Sequence, residues 1–183
     1  MTLAMKDLPH YTYDDYVQWE GKWELIEGVP YAMSPAPSVE HQSISQMIAY
    51  ELQRNLKQKN CRECRALLPV DWQIAEDTVV QPDNLVVCGT PQWQKKLTTT
   101  PALVFEIISP STSQKDRGIK YRLYEEAGVR WYCIVSPLTK SVEIYRLENG
   151  KYVAAFEAEE GSSFTFDLAG ECKIDFDFSG LFG

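Results

Sequence analysis

Histidine is almost missing from this 183-residue chain, which carries only His10 and His41. That scarcity excludes metal sites built on several imidazoles. Cysteine is sparse too. Cys61, Cys64, Cys88, Cys133 and Cys172 make an odd, scattered set, which argues against a disulfide framework and for reduced thiols. Cys61-Arg62-Glu63-Cys64 has the spacing of half a zinc site, but no second pair or nearby histidine completes it. No window approaches the roughly 18 uncharged apolar residues of a membrane-spanning helix. Residues 1–10 also lack the apolar core of a signal peptide, so we expect no membrane partner and a cytoplasmic location.

What is present is ordinary for a folded domain. With 44% hydrophobic and 24% charged residues, 10 Gly and 10 Pro, the chain is neither collagen-like, coiled-coil nor wholly disordered. Its length suits one domain, residues 1–183. The formal net charge of -8 argues against coating nucleic acid through bulk charge. Its distribution weakens that objection, because residues 141–183 hold nine acids and three bases, leaving only -2 for residues 1–140. Two basic clusters, Arg54-Lys57-Lys59-Arg62-Arg65 and Lys115-Arg117-Lys120-Arg122, are each able to meet a phosphate backbone or to remain solvated surface charge.

A short helical stretch at 13–19 leads into 23–33, which alternates about Glu27-Gly28 as a hairpin does. Ser34-Pro35-Ala36-Pro37 breaks it. Ser38 then caps a long helix whose Ile44, Ile48, Leu52 and Leu56 recur every four residues through about Lys57, with His41 on the same inward face. Three strand-like runs follow at 66–74, 83–88 and 102–109, with 93–100 as the loop between the last two. Ser113 is a plausible cap for a second helix with Ile119, Leu123 and Ala127 buried and Gly128 as its stop. A buried strand at 129–135 comes next. Residues 141–147 and 151–156 form a hairpin about Asn149-Gly150, and the acidic, aromatic end reads as irregular. The whole is a mixed α/β domain.

Two carboxylates stand out in this frame. Asp83, in Gln81-Pro82-Asp83-Asn84, opens a strand and shares a face with Leu85 and Val87. Glu106, in Val104-Phe105-Glu106-Ile107-Ile108, has apolar neighbours on both faces, where an ionised group costs several kcal/mol unless it is paired or binds a metal. Asp83 and Glu106 with the Ile107 carbonyl between them form a hard-oxygen site suited to Mg²⁺. The bland alternatives are Asp83 capping the turn beside Pro82, and Glu106 paired with Lys120 or an arginine. One metal explains both acids together.

Pro82-Asp83 followed by Glu106 in a hydrophobic strand is similar to the Pro-Asp…(Asp/Glu)-x-Lys pattern of the restriction-endonuclease-like superfamily. The run Pro101 to Thr112, then Asp116, Lys120, Tyr124, Gly128-Val129 and Tyr132, resembles more specifically the Uma family of prokaryotic endonucleases. Trp23-Glu24-Leu25-Ile26-Glu27-Gly28 and His41 fit it as well, so the likeness spans roughly residues 10–155. The resemblance implies a core of helix, three strands, helix and strand on a mixed sheet at about 38–136. An N-terminal helix and hairpin would occupy 10–37, and a C-terminal β extension with an acidic end 137–183.

One position departs from the superfamily pattern, because Ile108 stands where the lysine two residues after Glu106 should be. In the Uma family the lysine is moved to the following helix, and the resemblance carries its role to Lys120. The alternatives are a salt bridge of Lys120 to Asp116, and Asp116 as the capping-box partner of Ser113. The resemblance implies a DNA endonuclease using Mg²⁺, with Mn²⁺ as substitute. Asp83, Glu106 and Lys120 would be catalytic, Asp83, Glu106 and Ile107 would hold the metal, and His41, Glu27 and Asp116 would lie around them. His41 has as alternatives a partner for Ser38 or a neutral core residue. Glu51 is a weaker outlying candidate, and Trp23, Trp72, Trp93 and Trp131 read as core and loop anchors. The rival expectation is a catalytically silent member of the fold that binds DNA or protein. Double-strand cutting favours a homodimer, with residues 141–156 as its surface.

Overall fold

The structure is a computed structural model and describes residues 9–33, 36–89 and 94–183. The breaker at Ser34-Pro35, Trp93 and the start of the 93–100 loop lie outside the described residues. The chain begins with α1 (Tyr13–Tyr16), β1 (Trp23–Ile26) and β2 (Val29–Ala32), then α2 (Val39–Gln58). Glu27 and Gly28 both have positive φ, 50° and 77°, which is the turn that a tight hairpin demands. Ser38 caps α2 as its sequence suggests, its Oγ accepting the N–H of His41.

The run at 66–74 is not one strand. It divides at Pro69 into β3 (Cys64–Leu67) and β4 (Trp72–Ala75), which belong to different sheets. Proline has no N–H for a ladder, so a central strand cannot continue through it. A short strand, β5 (Thr78–Val80), joins β4 and was not legible as a separate element. Then come β6 (Asn84–Cys88), β7 (Leu103–Ile107), a π-helical turn at Lys115–Lys120, α3 (Tyr121–Glu126) and β8 (Trp131–Ser136). Gly128, at φ 81°, ends α3 with its N–H on the Glu125 carbonyl and that of Val129 on Tyr124, the paired bonds of a Schellman stop. β9 (Ser141–Glu148) and β10 (Lys151–Glu159) follow.

The main sheet has the order β10-β9-β8-β7-β6-β3 and is mixed, since β7 and β8 run parallel while its other pairs are antiparallel. A second sheet, β2-β1-β5-β4, is antiparallel. Alternation along the central strands divides the core in two. Val86, Phe105, Ile107, Cys133 and Val135 pack with Ile44, Ile48 and Leu52 of α2. Leu85, Val104, Tyr132 and Ile134 face Leu123 and Tyr124 of α3 and Trp72 of the small sheet. Glu106, between Phe105 and Ile107, is therefore directed to the α3 side.

Two expectations are corrected here. The acidic end is not irregular: β11 (Ser163–Ala169) and β12 (Cys172–Asp177) form a hairpin whose Phe166, Ile174 and Phe176 enter the α2 side of the core. Its acids alternate with these residues, and Asp175 and Asp177 face solvent. The cysteines are not all reduced thiols either, because Cys61 is bonded to Cys172 and Cys64 to Cys88, leaving Cys133 free and buried. Cys64 and Cys88 are direct partners in the β3–β6 register, and Cys61 follows α2 where β12 begins. Chain spacing hides such juxtapositions. The Cys61–Cys172 bridge closes 111 residues, and chain entropy gives such a loop about 4–5 kcal/mol. Reduction should therefore lower the thermal midpoint, and a Cys172→Ser variant should lose about half of that sensitivity to reductant, the Cys64–Cys88 bridge keeping the rest. Calorimetry with and without reductant checks this, and unchanged midpoints would show that the bridges contribute nothing.

Candidate active site

The site is built where β6 begins and β7 ends, against the helix that links β7 to β8. Pro82 precedes β6, and Asp83 meets β7 through its side chain, Oδ2 accepting the Ile107 N–H at 2.8 Å. The carboxylate thus caps β7 one residue beyond the last backbone pairs of the ladder. Ile107, expected to offer its carbonyl, meets Asp83 by its N–H. The same Oδ2 lies 3.2 Å from His41 Nε2. The Asp83 hydrogen bond lifts the His41 pKa despite burial, and His41 Nδ1 is buried without a hydrogen-bond partner among the described residues. A histidine on the first turn of α2 is so placed because Ile44 and Ile48 hold that face on the sheet.

Lys120 is the centre of the cluster. Its ammonium, with a side chain only 4% exposed, lies 2.8 Å from Glu24 Oε1, 2.9 Å from Glu106 Oε1 and 3.7 Å from Asp116 Oδ1. The stripe expected on this helix is present, with Leu123 buried and Ile119 and Ala127 half-buried against the same core cluster, and Asp116, Lys120 and Tyr124 are buried beside it. Asp116, Lys120 and Tyr124, four residues apart, form the polar inner face, and the π turn that contains the first two is a local widening often found at functional sites. Ser113 is not the cap. The reciprocal cap is made by Ser109 and Thr112, and Asp116 bonds Thr112.

Glu24 is the residue that sequence reasoning missed. It is fully buried and takes Lys115 Nζ at 2.6 Å, Lys120 Nζ at 2.8 Å and the Gln81 N–H at 3.0 Å. Burial alone would raise its pKa, but Lys120, Lys115 and Gln81 hold it down at about 2. Its signal was available, since a carboxylate between Trp23 and Leu25 in a short strand is as anomalous as Glu106. Glu27, by contrast, is an exposed turn residue paired with Arg122, and Glu51 pairs with Arg54 on α2. Both stand outside the cluster.

Four carboxylates, Glu24, Asp83, Glu106 and Asp116, thus share Lys115, Lys120 and His41. Burial, with the charges of Asp116, Asp83 and Glu24 added to it, pushes the Glu106 carboxyl well above the usual range against the pull of Lys120. The three acids around Lys120 keep it an ammonium in spite of its burial. Glu106 Oε1 accepts Tyr124 OH at 2.6 Å as well as Lys120, while Oε2 accepts no hydrogen bond among the described residues. Asp83 Oδ1 is free in the same sense. No three His, Cys, Asp or Glu side chains among the described residues form a ready metal cage. Two hard oxygens amid excess negative charge nevertheless fit Mg²⁺, which keeps several waters and needs only one or two carboxylates.

The basic clusters fare differently. Arg117 pairs with Glu143, Arg122 with Glu27, and Lys115 and Lys120 with Glu24, so the second cluster is spent on internal pairs. In the first, Arg54 and Lys59 pair with Glu51 and Asp175. Among the described residues no helix is long and apolar enough to cross a membrane.

Comparisons with known proteins agree with this frame. Residues 13–173 match the model of the Uma2 family, described as "Putative restriction endonuclease". The uncharacterized protein slr1290 of Synechocystis is 31% identical over 144 residues, 75% of this chain and 74% of that one. A crystal structure of a "putative nuclease belonging to DUF820" from Anabaena variabilis superposes with a TM-score of 0.73 at 19% identity, covering 94% of this chain and 97% of that one.

Proposed function

Since the chain belongs to the Uma2 family, we propose that it is a divalent-metal-dependent endonuclease that hydrolyses DNA phosphodiester bonds at the Asp83–Glu106–Lys120 cluster. The observation that carries this reading is Lys120 itself: the following helix supplies a buried ammonium 2.9 Å from Glu106, and Ile108 supplies no charge. Asp83 and Glu106 would hold the ion through the oxygens they have free. When bound, such an ion supplies positive charge at the scissile phosphate and lowers the pKa of a water. Lys120 offsets negative charge that builds on the phosphate during displacement. Glu24 and Asp116 keep Lys120 charged and fix its position, and Tyr124 orients the Glu106 carboxylate. His41 restrains Asp83. A homodimer would supply two such sites for two strands.

One observation favours a silent module instead. Lys120 bridges Glu24 and Glu106 in a closed, buried pair, as a purely structural ion pair would. Cleavage of supercoiled plasmid and single-stranded DNA with Mg²⁺, Mn²⁺ or EDTA separates the two. The nuclease reading expects metal-dependent nicking that Asp83→Asn lowers at least about 100-fold, more than the loss typical of residues that only support metal ligands. Salt-sensitive DNA binding by a folded protein without nicking would establish the silent module.

A further inference from the structure

A cleft lies beside the cluster, joined to it through Gln81. Its volume is about 450 Å³, and it is lined by Tyr13, Tyr16, Trp19, Trp23, Asp71 and Gln81, with Lys95 also at its wall. The four aromatic residues are half-buried, and none belongs to either hydrophobic cluster of the core. Their rings form a chain of contacts, Tyr13–Tyr16 stacked at 6.1 Å and Tyr16–Trp19 and Trp19–Trp23 near edge-to-face at 5.7 Å. Trp23 was expected to be a core anchor, yet its indole N–H binds the Glu20 carbonyl at the surface.

The cleft's polar groups are the Asp71 carboxylate and the Gln81 amide, with Lys95 at the wall and the Lys96 ammonium 3.5 Å over the Tyr13 ring. Asp71 Oδ1 accepts both Tyr16 OH at 3.0 Å and Gln81 Nε2 at 2.7 Å. Burial and the Asp71 charge push the Tyr16 hydroxyl up to about 12, so it stays a donor and holds that carboxylate in place. Asp71 Oδ2 and Gln81 Oε1 accept no hydrogen bond among the described residues. A ligand must therefore bring a flat apolar body for the rings and adjacent N–H donors for two acceptors. Guanine has both, because N1–H and the N2 amine lie side by side. Adenine and cytosine offer a single amine, and thymine flanks its one N–H with carbonyls that the carboxylate would repel.

The cleft is joined to the carboxylate cluster by one residue. Gln81 holds Asp71 with its side chain while its backbone N–H donates to Glu24 Oε1 at 3.0 Å, two residues before Asp83. We propose that this cleft binds an unpaired guanine of the strand being cut, stacked on the aromatic rings and read by Asp71 and Gln81. This rests on the nuclease reading of the neighbouring site. Base–aromatic stacking gives affinity for any base, and the acceptor pair gives the choice.

The test is calorimetric binding in EDTA, which needs no cleavage. The probes are an all-thymine oligonucleotide, the same oligonucleotide with one central guanine, free dGMP and choline. We expect the guanine-bearing strand to bind at least about fivefold tighter than the all-thymine strand, the low end of one bidentate base contact. Asp71→Asn, which keeps size and exchanges one acceptor for a donor, should erase that preference and leave all-thymine binding unchanged. Equal affinity for the two strands would overturn the proposal, and the wild-type comparison decides this even if the variant does not fold. So would a preference confined to free dGMP, or tighter binding of choline, which would make the cleft a cage for an organic cation. Guanine preference without nicking under any metal would sink the nuclease reading alone.

Discussion

Replacing Lys120 with methionine is expected to lower the stability of the protein by about 3–5 kcal/mol, the cost of leaving a buried ion pair with one partner removed. The cause is the number of acids that depend on this ammonium. Glu24 and Glu106 lie within 3 Å of it, Asp116 at 3.7 Å, and all three are buried. Lys115 remains for Glu24, but Glu106 keeps only the Tyr124 hydroxyl. Methionine fills the space of the stem, so the loss is electrostatic and not a cavity. Denaturant unfolding of the variant measures it. The double variant with Glu106→Gln should recover part of the loss, because one uncompensated charge is then gone. A single variant as stable as the wild type would show that these acids are protonated, or are neutralised elsewhere.

The second large effect has the opposite balance. Glu106→Gln should reduce cleavage at least about 100-fold, since loss of mere supporting residues at metal sites costs 10–100-fold. Yet the protein should melt at or above the wild-type midpoint in the absence of metal. The folded carboxyl is raised above its unfolded value, so proton binding to Glu106 favours the fold. At pH values above its folded pKa the ionised group therefore opposes folding. Glutamine retains an oxygen for Lys120 and Tyr124 without that charge, and Lys120 keeps Glu24 at 2.8 Å. Functional sites are often held at such a cost to stability. Thermal melts at neutral pH with EDTA, beside plasmid nicking with Mg²⁺, check both halves. A variant that unfolds more easily and still cuts would assign Glu106 a structural role.

The two carboxylates were legible because each broke a pattern. Glu106 interrupts a strand that is otherwise apolar on both faces, and Asp83 stands where a strand should begin. α2 was legible because Ser38 and the four-residue spacing of Ile44, Ile48, Leu52 and Leu56 agree. The apolar stripe of the second helix was legible as well, since Ile119, Leu123 and Ala127 pack on one core cluster. The polar line Asp116-Lys120-Tyr124 beside it was not, because the acids that meet it, Glu24 and Glu106, come from other strands. Glu24 breaks the apolar pattern as Glu106 does, but its four-residue strand marks no face and its partners lie some 60 to 100 positions away, so its role in the cluster was not legible. The bridges of Cys61 and Cys64 were hidden for the same reason. The β11–β12 hairpin was obscured by its acids, which suggested a solvated tail although they alternate with Phe166, Ile174 and Phe176.

The claim on which everything else depends is that Asp83 and Glu106 together form a divalent-cation site. Calorimetric titration of Mn²⁺ and Mg²⁺ into the wild-type chain, Asp83→Asn and Glu106→Gln, each shown to be folded by circular dichroism, tests it without reference to any substrate. The account predicts a saturable site in the wild type that is weakened at least about tenfold in each variant. Absence of binding in the wild type, or binding that both variants retain undiminished, would contradict it.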